Sequence, residues 1–441
     1  MEQFTAPVSL FNNKRRTMKS SLSFATFGIL LCFLSCERMG QDVSKSKIDD
    51  APEVSFGRYR NYEQAKAIAE QSINLVEETA TKSGIRRKIE SVQCITEVNI
   101  TKGNTASEDT LMYVFNFAGN EGFSLIAAEK TKRPVLAVTE AGHYDIETGT
   151  GIEAVDSYID GLRESLRGPG PGDPIVIFSY NEYFMVADSC VNIMPTKWGQ
   201  QDIYGQYCPN GISGCVATAL GQILAFKHIP SSFETTVQMG NDYAIGDIIQ
   251  PNWNVISQHI QTHSDTQSCN PVHNQIGALL REIGDLVNMT YYPNSSGATI
   301  TGVQSFLNTW SLPYSPVATA NPTTITTSIS SGYPVFMCGT DFPAGGHAWV
   351  ADGYKIYQSG WITYELLDTI PEAIYVPVST TYTEDTKLLH LNWGWNGNCN
   401  GYFDFDCYDT SAAVVYDGNN NTANYDFANG VMMICNIGNN S

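Results

Sequence analysis

Apolar and polar residues alternate with two different periods in the N-terminal part of the chain. Between residues 62 and 76, apolar side chains recur every three or four positions, which places them on one stripe of an α-helix. Runs rich in β-branched and aromatic residues follow at 111–117, 123–128 and 135–138, and these predict strands. Together with a second helical pattern at 154–166, they predict a small α+β domain.

A glycine- and proline-rich segment, GPGPGDP at 168–174, interrupts this pattern. Proline fixes φ and lacks an amide hydrogen, so the segment continues neither neighbouring element and predicts a linker open to proteolytic nicking. From about residue 190 the sequence is rich in Gly, Asn, Trp and Tyr, and short strands are expected to predominate. We therefore predict one domain over 37–174 and a second over 190–441.

Composition limits the classes of protein to consider. A chain of 441 residues suggests two or three folding units, and 42% hydrophobic residues suffice for well-packed cores. The formal net charge of −20 argues against nucleic acid or anionic lipid as the main partner, because both would be repelled.

The N-terminus has the pattern of an export signal. Basic residues within 14–19 precede an apolar run at 22–34, which is too short to span a bilayer comfortably and is followed by Cys36. Leu-Ser-Cys at 34–36 resembles a bacterial lipobox, so we expect a signal peptide over 1–36, with Met18 as a plausible start and Cys36 lipidated. This predicts a lipoprotein of the bacterial outer membrane or cell surface, attached only through its lipid. An ordinary cleaved signal is the alternative.

Eleven cysteines are present, of which nine follow Cys36. An odd number in an exported chain raises the prospect of one free, reactive thiol. No Cys or Cys/His spacing is that of a zinc site, so no metal is predicted.

The first candidate site is SGCVATALGQIL at 213–224. A turn-prone stretch gives way here to an apolar helical pattern that runs to Pro230, which places Cys215 in the first turn of a helix. Unpaired amides and the helix dipole favour a thiolate at that position. Gly214 leaves room for the backbone of a substrate. The alternative is that Cys215 is a small buried apolar residue.

The second candidate site is GGHAWV at 345–350, where His347 opens a strand-like run behind Gly346. A thiol becomes a strong nucleophile beside a base, and histidine is the side chain that titrates near neutral pH. The alternative is a structural histidine, and His390 is the rival for the role of base.

Two further segments supply polar groups that suit the same chemistry. In HLNWGWNG at 390–397, Asn392 is placed to hydrogen-bond the ring of His347, and Trp393 and Trp395 would cover that bond. The alternative is a tryptophan-rich core turn. In WGQQ at 198–201, the amide of Gln200 suits an oxyanion hole, beside the backbone amide of the nucleophile.

The order Gln, Cys, His, Asn-Trp resembles that of papain-like cysteine proteases, and the local sequences resemble their streptopain family. The segments that carry the resemblance are WGQ at 198–200, GCVATALGQI at 214–223, GGHAWVADGY at 345–354 and HLNWGWNG at 390–397. More weakly, residues 122–145 resemble part of the family's inhibitory propeptide.

The resemblance implies an α+β fold in which a mainly helical subdomain carrying Cys215 packs against an antiparallel sheet carrying His347. The helical pattern after Cys215 and the strand-rich sequence after residue 330 favour the same fold independently. It further implies that Cys215 is the nucleophile, His347 the general base and acid, and Gln200 an oxyanion donor. Asn392 and Trp393 match the family's Asn-Trp pair, whose role is less settled because the family is often treated as a Cys-His dyad.

The implied activity is peptide hydrolysis through a thioester, with protein or peptide substrates and no cofactor. The implied zymogen is silenced by its own propeptide, which draws the histidine out of line until the linker is cut. An acyltransferase or transglutaminase using the same Cys-His pair is the first alternative. A catalytically inert surface-binding protein on the same scaffold is the second. A released N-terminal domain that inhibits other proteases is compatible with the main prediction.

Overall fold

The computed structural model describes most of the chain between residues 59 and 438. The described residues are 59–80, 87–96, 100–101, 110–130, 132–166, 180–190, 193–239, 242–259, 270–339, 346–368, 374–382, 386–405, 415–416, 422–423 and 431–438. The predicted signal peptide with Cys36, and the predicted linker at 168–174, lie outside these residues. Residues 52–441 belong to one compact unit.

Helices and strands occur in both predicted domains. The helices are α1 (Tyr62–Ala80), α2 (Glu153–Leu166), α3 (Cys215–Lys227), α4 (Trp253–Ile256), α5 (Pro271–Leu286), α6 (Ile300–Thr309) and α7 (Pro322–Ser330). The strands are β1 (Ile89–Thr96), β2 (Ile100–Thr101), β3 (Thr110–Phe117), β4 (Phe123–Ala127), β5 (Val135–Thr139), β6 (Tyr180–Cys190), β7 (Phe233–Glu234), β8 (Ile248–Ile249), β9 (Thr290–Tyr291), β10 (Ser296–Gly297), β11 (Ala318–Thr319), β12 (Val335–Gly339), β13 (His347–Asp368), β14 (Ile374–Tyr382), β15 (Thr386–Asn392), β16 (Gly401–Asp404), β17 (Val415–Tyr416), β18 (Thr422–Ala423) and β19 (Met432–Ile434).

Within the described residues, one antiparallel sheet runs through the protein in the order β11-β19-β12-β13-β15-β16-β5-β4-β3-β1-β2. Strands β6 and β14 also pair with β13. The long strand β13 begins at His347, and helix α3 begins at Cys215. The predicted α+β fold, with the cysteine on a helix and the histidine on an antiparallel sheet, is confirmed.

The sheet continues from the N-terminal region (residues 59–166) into the C-terminal region (residues 193–438). Strand β5 of the first pairs with β16 of the second, with Val138 opposite Tyr402 and Thr139 opposite Gly401. Backbone hydrogen bonds therefore join the two regions directly. The domain boundaries at 174 and 190 stay a prediction.

Side chains of the N-terminal strands alternate between two apolar cores, as the period of a strand requires. Tyr113 and Phe115 pack with residues of α1 on one face of the sheet. Met112 and Val114 pack with residues of α2 on the other face. The predicted helices and strands of this region are therefore present, and both sides of the sheet are covered.

The C-terminal region is more helical than its composition predicted. Strands were expected to predominate from about residue 190, but the longer elements between 215 and 330 are α3, α5, α6 and α7. Two of the asparagines that contributed to that expectation begin helices instead. Asn270 accepts a hydrogen bond from the amide of Val272, Asn321 accepts one from Thr324, and a proline follows each asparagine.

Helix α3 packs against α5 and the start of β13. Ala348 and Val350 point into the core around α3, whereas Trp349 and Ala351 point into the core on the other face of the sheet. The nucleophile candidate therefore lies on the face that Ala348 presents. Among the described residues, no helix combines the length and apolarity needed to cross a membrane.

Candidate active site

Cys215 is the first residue of α3 and is 8% exposed. Gly214 directly before it adopts φ 86°, a left-handed conformation that strains any L side chain. A Cβ added there would also lie 3.0 Å from the Cβ of Ser296. Both constraints explain why glycine precedes the cysteine.

The thiol of Cys215 is surrounded by backbone amides. Burial raises its pKa, while hydrogen bonds from the amides of Ala348, Val216 and Cys215 itself act in the opposite direction. The helix start therefore favours the thiolate as predicted, but burial has the larger effect. In the full chain, burial therefore disfavours the thiolate form of Cys215.

His347 is half-buried, and its Nε2 lies 3.1 Å from the carbonyl oxygen of Trp393. A carbonyl only accepts hydrogen bonds, so Nε2 carries a hydrogen and donates it. In the neutral ring, Nδ1 is then the basic nitrogen. The imidazole also stacks on Trp349, with the ring centroids 6.2 Å apart and the planes 13° apart.

Burial lowers the pKa of His347 to about 4, although the hydrogen bond to Trp393 raises it in part. The imidazole is therefore neutral at pH 7. The sulfur of Cys215 lies near His347 in the fold, because it accepts a hydrogen bond from the backbone amide of Ala348, the residue that follows His347. Both members of the predicted Cys-His pair are thus close in the fold, and burial disfavours the charged form of each.

The side chain of Asn392 forms its hydrogen bonds with groups other than His347. Its Nδ2 donates to the carbonyl of Thr196 at 2.8 Å and to Oε1 of Gln222 at 3.1 Å. Its Oδ1 accepts from the amide of Gly394 at 3.2 Å and from Nε2 of Gln222 at 3.4 Å. The bond that the sequence assigned to the Asn392 side chain is made instead by the backbone of Trp393.

Of the two tryptophans that were expected to cover the imidazole, Trp393 packs beside it, with ring centroids 6.4 Å apart. Trp393 is 1% exposed and packs against Trp349, with ring centroids 5.3 Å apart. Trp395 is half-buried, and Gly346 before the histidine is exposed. The apolar wall beside the imidazole therefore consists mainly of Trp349 and Trp393.

Gln200 lies close to the turn that precedes the nucleophile. Its carbonyl accepts hydrogen bonds from the amide of Ser213 at 2.8 Å and from the hydroxyl of Ser213 at 3.2 Å. Its side-chain Nε2 is buried and has no hydrogen-bond partner among the described residues. An unpaired buried donor is costly, and this one is free to donate to an oxyanion beside Cys215.

His390, the alternative candidate for the general base, contacts two carboxylates. Its Nδ1 lies 2.6 Å from Asp352, and its Nε2 lies 3.3 Å from Glu140 of the N-terminal region. Burial lowers the pKa of His390, but these two carboxylates outweigh it and raise the pKa to about 9. A histidine that is charged at neutral pH is no general base there, so His347 is the better candidate.

Sequence reasoning missed Thr218 and Gln222, which lie on the helix of the nucleophile. The hydroxyl of Thr218 donates to the carbonyl of Gly214 at 3.0 Å and is 3.2 Å from that of Gly199. Both side chains are fully buried. A signal was available, because they are polar residues three and seven positions after Cys215 in an otherwise apolar stretch.

Free thiols in the described part of the chain are not confined to the nucleophile. They include Cys208, Cys215, Cys338, Cys399 and Cys435. Burial raises the pKa of each of these thiols. The odd number of cysteines therefore did not distinguish Cys215; its place at a helix start did.

Two family models match the chain. Residues 198–403 match the Peptidase C10 family, and residues 46–158 match the Spi protease inhibitor. The first match contains the four candidate residues, from Gln200 to Asn392.

Known proteins agree with these matches. Streptopain of Streptococcus pyogenes is 24% identical over 392 residues, covering 80% of this chain and 86% of its own length. The thiol protease/hemagglutinin PrtT of Porphyromonas gingivalis is 22% identical, covering 67% of this chain and 34% of its own length. A solved fragment of prointerpain A from Prevotella intermedia superposes with a TM-score of 0.47 at 19% identity, covering 75% of this chain and 96% of the fragment.

The family matches and the streptopain relatives, together with a cysteine at a helix start facing a histidine strand, define the class of enzyme. The N-terminal region is an inhibitor-like propeptide. The chain is therefore a cysteine peptidase: its residues 198–403 match the Peptidase C10 family, and streptopain is among its relatives.

Proposed function

We propose that the chain is an exported cysteine endopeptidase, made as a zymogen, in which Cys215 is the nucleophile and His347 the general base and acid. The observation that carries the proposal is the buried, unpartnered Nε2 of Gln200 next to the turn of Cys215. A donor in that state suits the oxyanion of a tetrahedral intermediate, which exists only while a substrate reacts.

The reaction follows from these assignments. Cys215 transfers its proton to Nδ1 of His347 and attacks the scissile carbonyl, while Gln200 and the Cys215 amide hold the oxyanion. The imidazolium then protonates the leaving amine and a thioester forms. Neutral His347 next takes a proton from water, which attacks the thioester and regenerates the thiol. The Nε2–H bond to Trp393 keeps Nδ1 as the basic nitrogen throughout.

The burial of Cys215 and His347 supports the zymogen assignment, because it disfavours the thiolate and the imidazolium. A path of hydrogen bonds leads from the N-terminal region to the imidazole. The amide of Glu140 donates to the carbonyl of Asn400 at 2.7 Å, and Oδ1 of Asn400 accepts from the amide of Trp393 at 3.1 Å. The carbonyl of Trp393 holds His347. In our proposal, removal of the N-terminal region frees this path and lets the imidazole take up the thiol proton.

Export and lipid attachment belong to the proposal through residues 1–36. The basic residues, the short apolar run and Cys36 in a lipobox-like triplet support an outer-membrane or cell-surface lipoprotein. Metabolic labelling with a palmitate analogue should mark the wild type and leave Cys36→Ala unmarked. Equal labelling of both would reject the lipid anchor and leave the catalytic proposal intact.

The test of the catalytic proposal compares the chain lacking residues 1–36 with its Cys215→Ala variant, under mild reductant. The wild type should shorten by about the mass of the N-terminal domain and then digest casein. The variant should keep its length and stay inactive. Cys435→Ala, which removes a buried thiol outside the site, is the matched control and should behave as wild type.

One result would overturn the proposal. If the wild type does not shorten by itself, and does not digest casein even after an added protease has cut residues 168–174, then hydrolysis by this site is rejected. Acyl transfer to an added amine would then be measured with the same pair of proteins.

A further inference from the structure

Helix α3 carries an unexplained buried amide. Its sequence CVATALGQILAFK is apolar apart from Thr218, Gln222 and the terminal Lys227. Gln222 follows Cys215 by seven residues, which is two helical turns, so both lie on the same face of the helix. Gln222 is 0% exposed, and burying a primary amide is unfavourable unless its donor and acceptor are paired.

Both ends of the Gln222 side chain are paired, and each partner lies in a different segment. Its Oε1 accepts from the backbone amide of Trp198 at 3.1 Å and from Nδ2 of Asn392 at 3.1 Å. Its Nε2 donates to Oδ1 of Asn392 at 3.4 Å. One side chain therefore joins segments that are 24 and 170 residues away in sequence.

Each of these segments carries part of the site. Trp198 precedes Gln200, the oxyanion donor, by two residues. Asn392 directly precedes Trp393, whose carbonyl holds Nε2 of His347. The helix itself carries Cys215. Gln222 therefore links the helix of the nucleophile to two other segments. One carries the oxyanion donor, and the other carries the carbonyl that holds the imidazole.

We propose that Gln222 is a positioning residue for catalysis, which fixes the Gln200 and Trp393 segments against the helix of Cys215. The proposal rests on the proposed function. A primary amide is required because Trp198 needs an acceptor, while Asn392 presents both a donor and an acceptor. An apolar side chain of equal length satisfies none of them, and a carboxylate has no donor for Oδ1 of Asn392.

The test uses Gln222→Met, matured from the full chain by cutting residues 168–174 with an added protease. We expect kcat on a peptide substrate to fall about ten- to hundredfold with KM within about twofold, because small misplacements of reacting groups cost that much. Affinity for a peptide aldehyde, which forms a tetrahedral adduct with the thiol, should fall by the same factor. The pH profile of iodoacetamide alkylation should also shift, since His347 is held through Trp393.

Gln206→Met is the matched control. Gln206 also lies in the C-terminal region, and its Nε2 donates to the carbonyl of His273 at 2.7 Å, outside the catalytic segments. It should lower thermal stability without changing aldehyde affinity or the alkylation profile. If Gln222→Met behaves like Gln206→Met in these two readouts, then Gln222 has a purely structural role and the proposal is wrong.

Gln222→Glu provides a rescue and a second variant if Gln222→Met fails to fold. A protonated glutamic acid has one donor and one acceptor, and burial raises the pKa of a carboxyl group. The ratio of its kcat to that of wild type should therefore rise as the pH falls from 8 to 5. A flat ratio overturns the proposal. An inert wild type, by contrast, would reject the proposed function itself.

Discussion

Replacing Glu140 with glutamine tests how the N-terminal region is held on the enzyme. Oε2 of Glu140 lies 2.9 Å from Nζ of Lys197, and Oε1 lies 3.3 Å from Nε2 of His390. Burial raises the pKa of Glu140, but His390 and Lys197 outweigh it and lower the pKa from its ordinary 4.5 to about 2. That shift corresponds to about 3 kcal/mol of stability, which the glutamine would lose at most.

The pH dependence of this loss has a definite sign. The lowered pKa of Glu140 contributes stability above pH 4.5 that is lost as the pH falls towards 2. The raised pKa of His390 contributes stability below its ordinary 6.5 that is lost as the pH rises through about 9. Both contributions are therefore complete between about pH 4.5 and 6.5. Asp352 and Lys197 also contact this pair, and the buried Lys355 lies over the Tyr402 ring, which packs against His390.

The assay is guanidinium chloride unfolding of the full chain in a Cys215→Ala background, which prevents self-digestion. Glu140→Gln should cost about 3 kcal/mol at pH 6 and about 1 kcal/mol or less at pH 10, where only the half-exposed Lys197 pair remains. Glu90→Gln, at an exposed position of the N-terminal region, should cost little at either pH. A loss for Glu140→Gln that is equal at pH 6 and pH 10, or absent at pH 6, would refute the reasoning.

Three further changes test the site. Gln200→Ala should lower kcat by about 10²–10³ with stability nearly unchanged, whereas exposed Gln201→Ala should keep wild-type rates in the same peptide assay. Gly214→Ala should cost about 1–3 kcal/mol in thermal unfolding, because it forces a side chain into φ 86° beside Ser296; an unchanged Tm would contradict the geometry. Asn392→Ala should cost about 2 kcal/mol in denaturant unfolding, because Gln222 and Thr196 lose buried partners; equal stability would show that the polar cluster relaxes freely.

Local sequence patterns were sufficient to predict the elements that carry the reacting groups. Cys215 follows a glycine-rich turn and opens an apolar run of helical period, so its place at the start of α3 was predictable. His347 likewise opens β13 behind glycine, as its pattern indicated. The stripe from residue 62 and the strands near 111–138 were predictable for the same reason: each depends on the spacing of neighbouring residues.

Local patterns failed where one composition permits two structures. The Gly-, Asn-, Trp- and Tyr-rich composition after residue 190 was taken to indicate short strands, but Asn270 and Asn321 cap helices α5 and α7. An asparagine side chain favours turns and helix starts alike, because in both it accepts a bond from a nearby backbone amide. Only the packing of the following apolar residues decides between them.

What the sequence by itself determined is therefore the identity and local setting of Cys215, His347 and Gln200. The tertiary structure alone decided that Asn392 bonds Gln222 instead of His347, that β5 extends the sheet through β16, and that burial raises the pKa of Cys215 and lowers that of His347. The physical reason is the same for each. Hydrogen-bond partners of buried amides, strand pairing and desolvation depend on groups that are distant in sequence, and no local pattern encodes which of them meet.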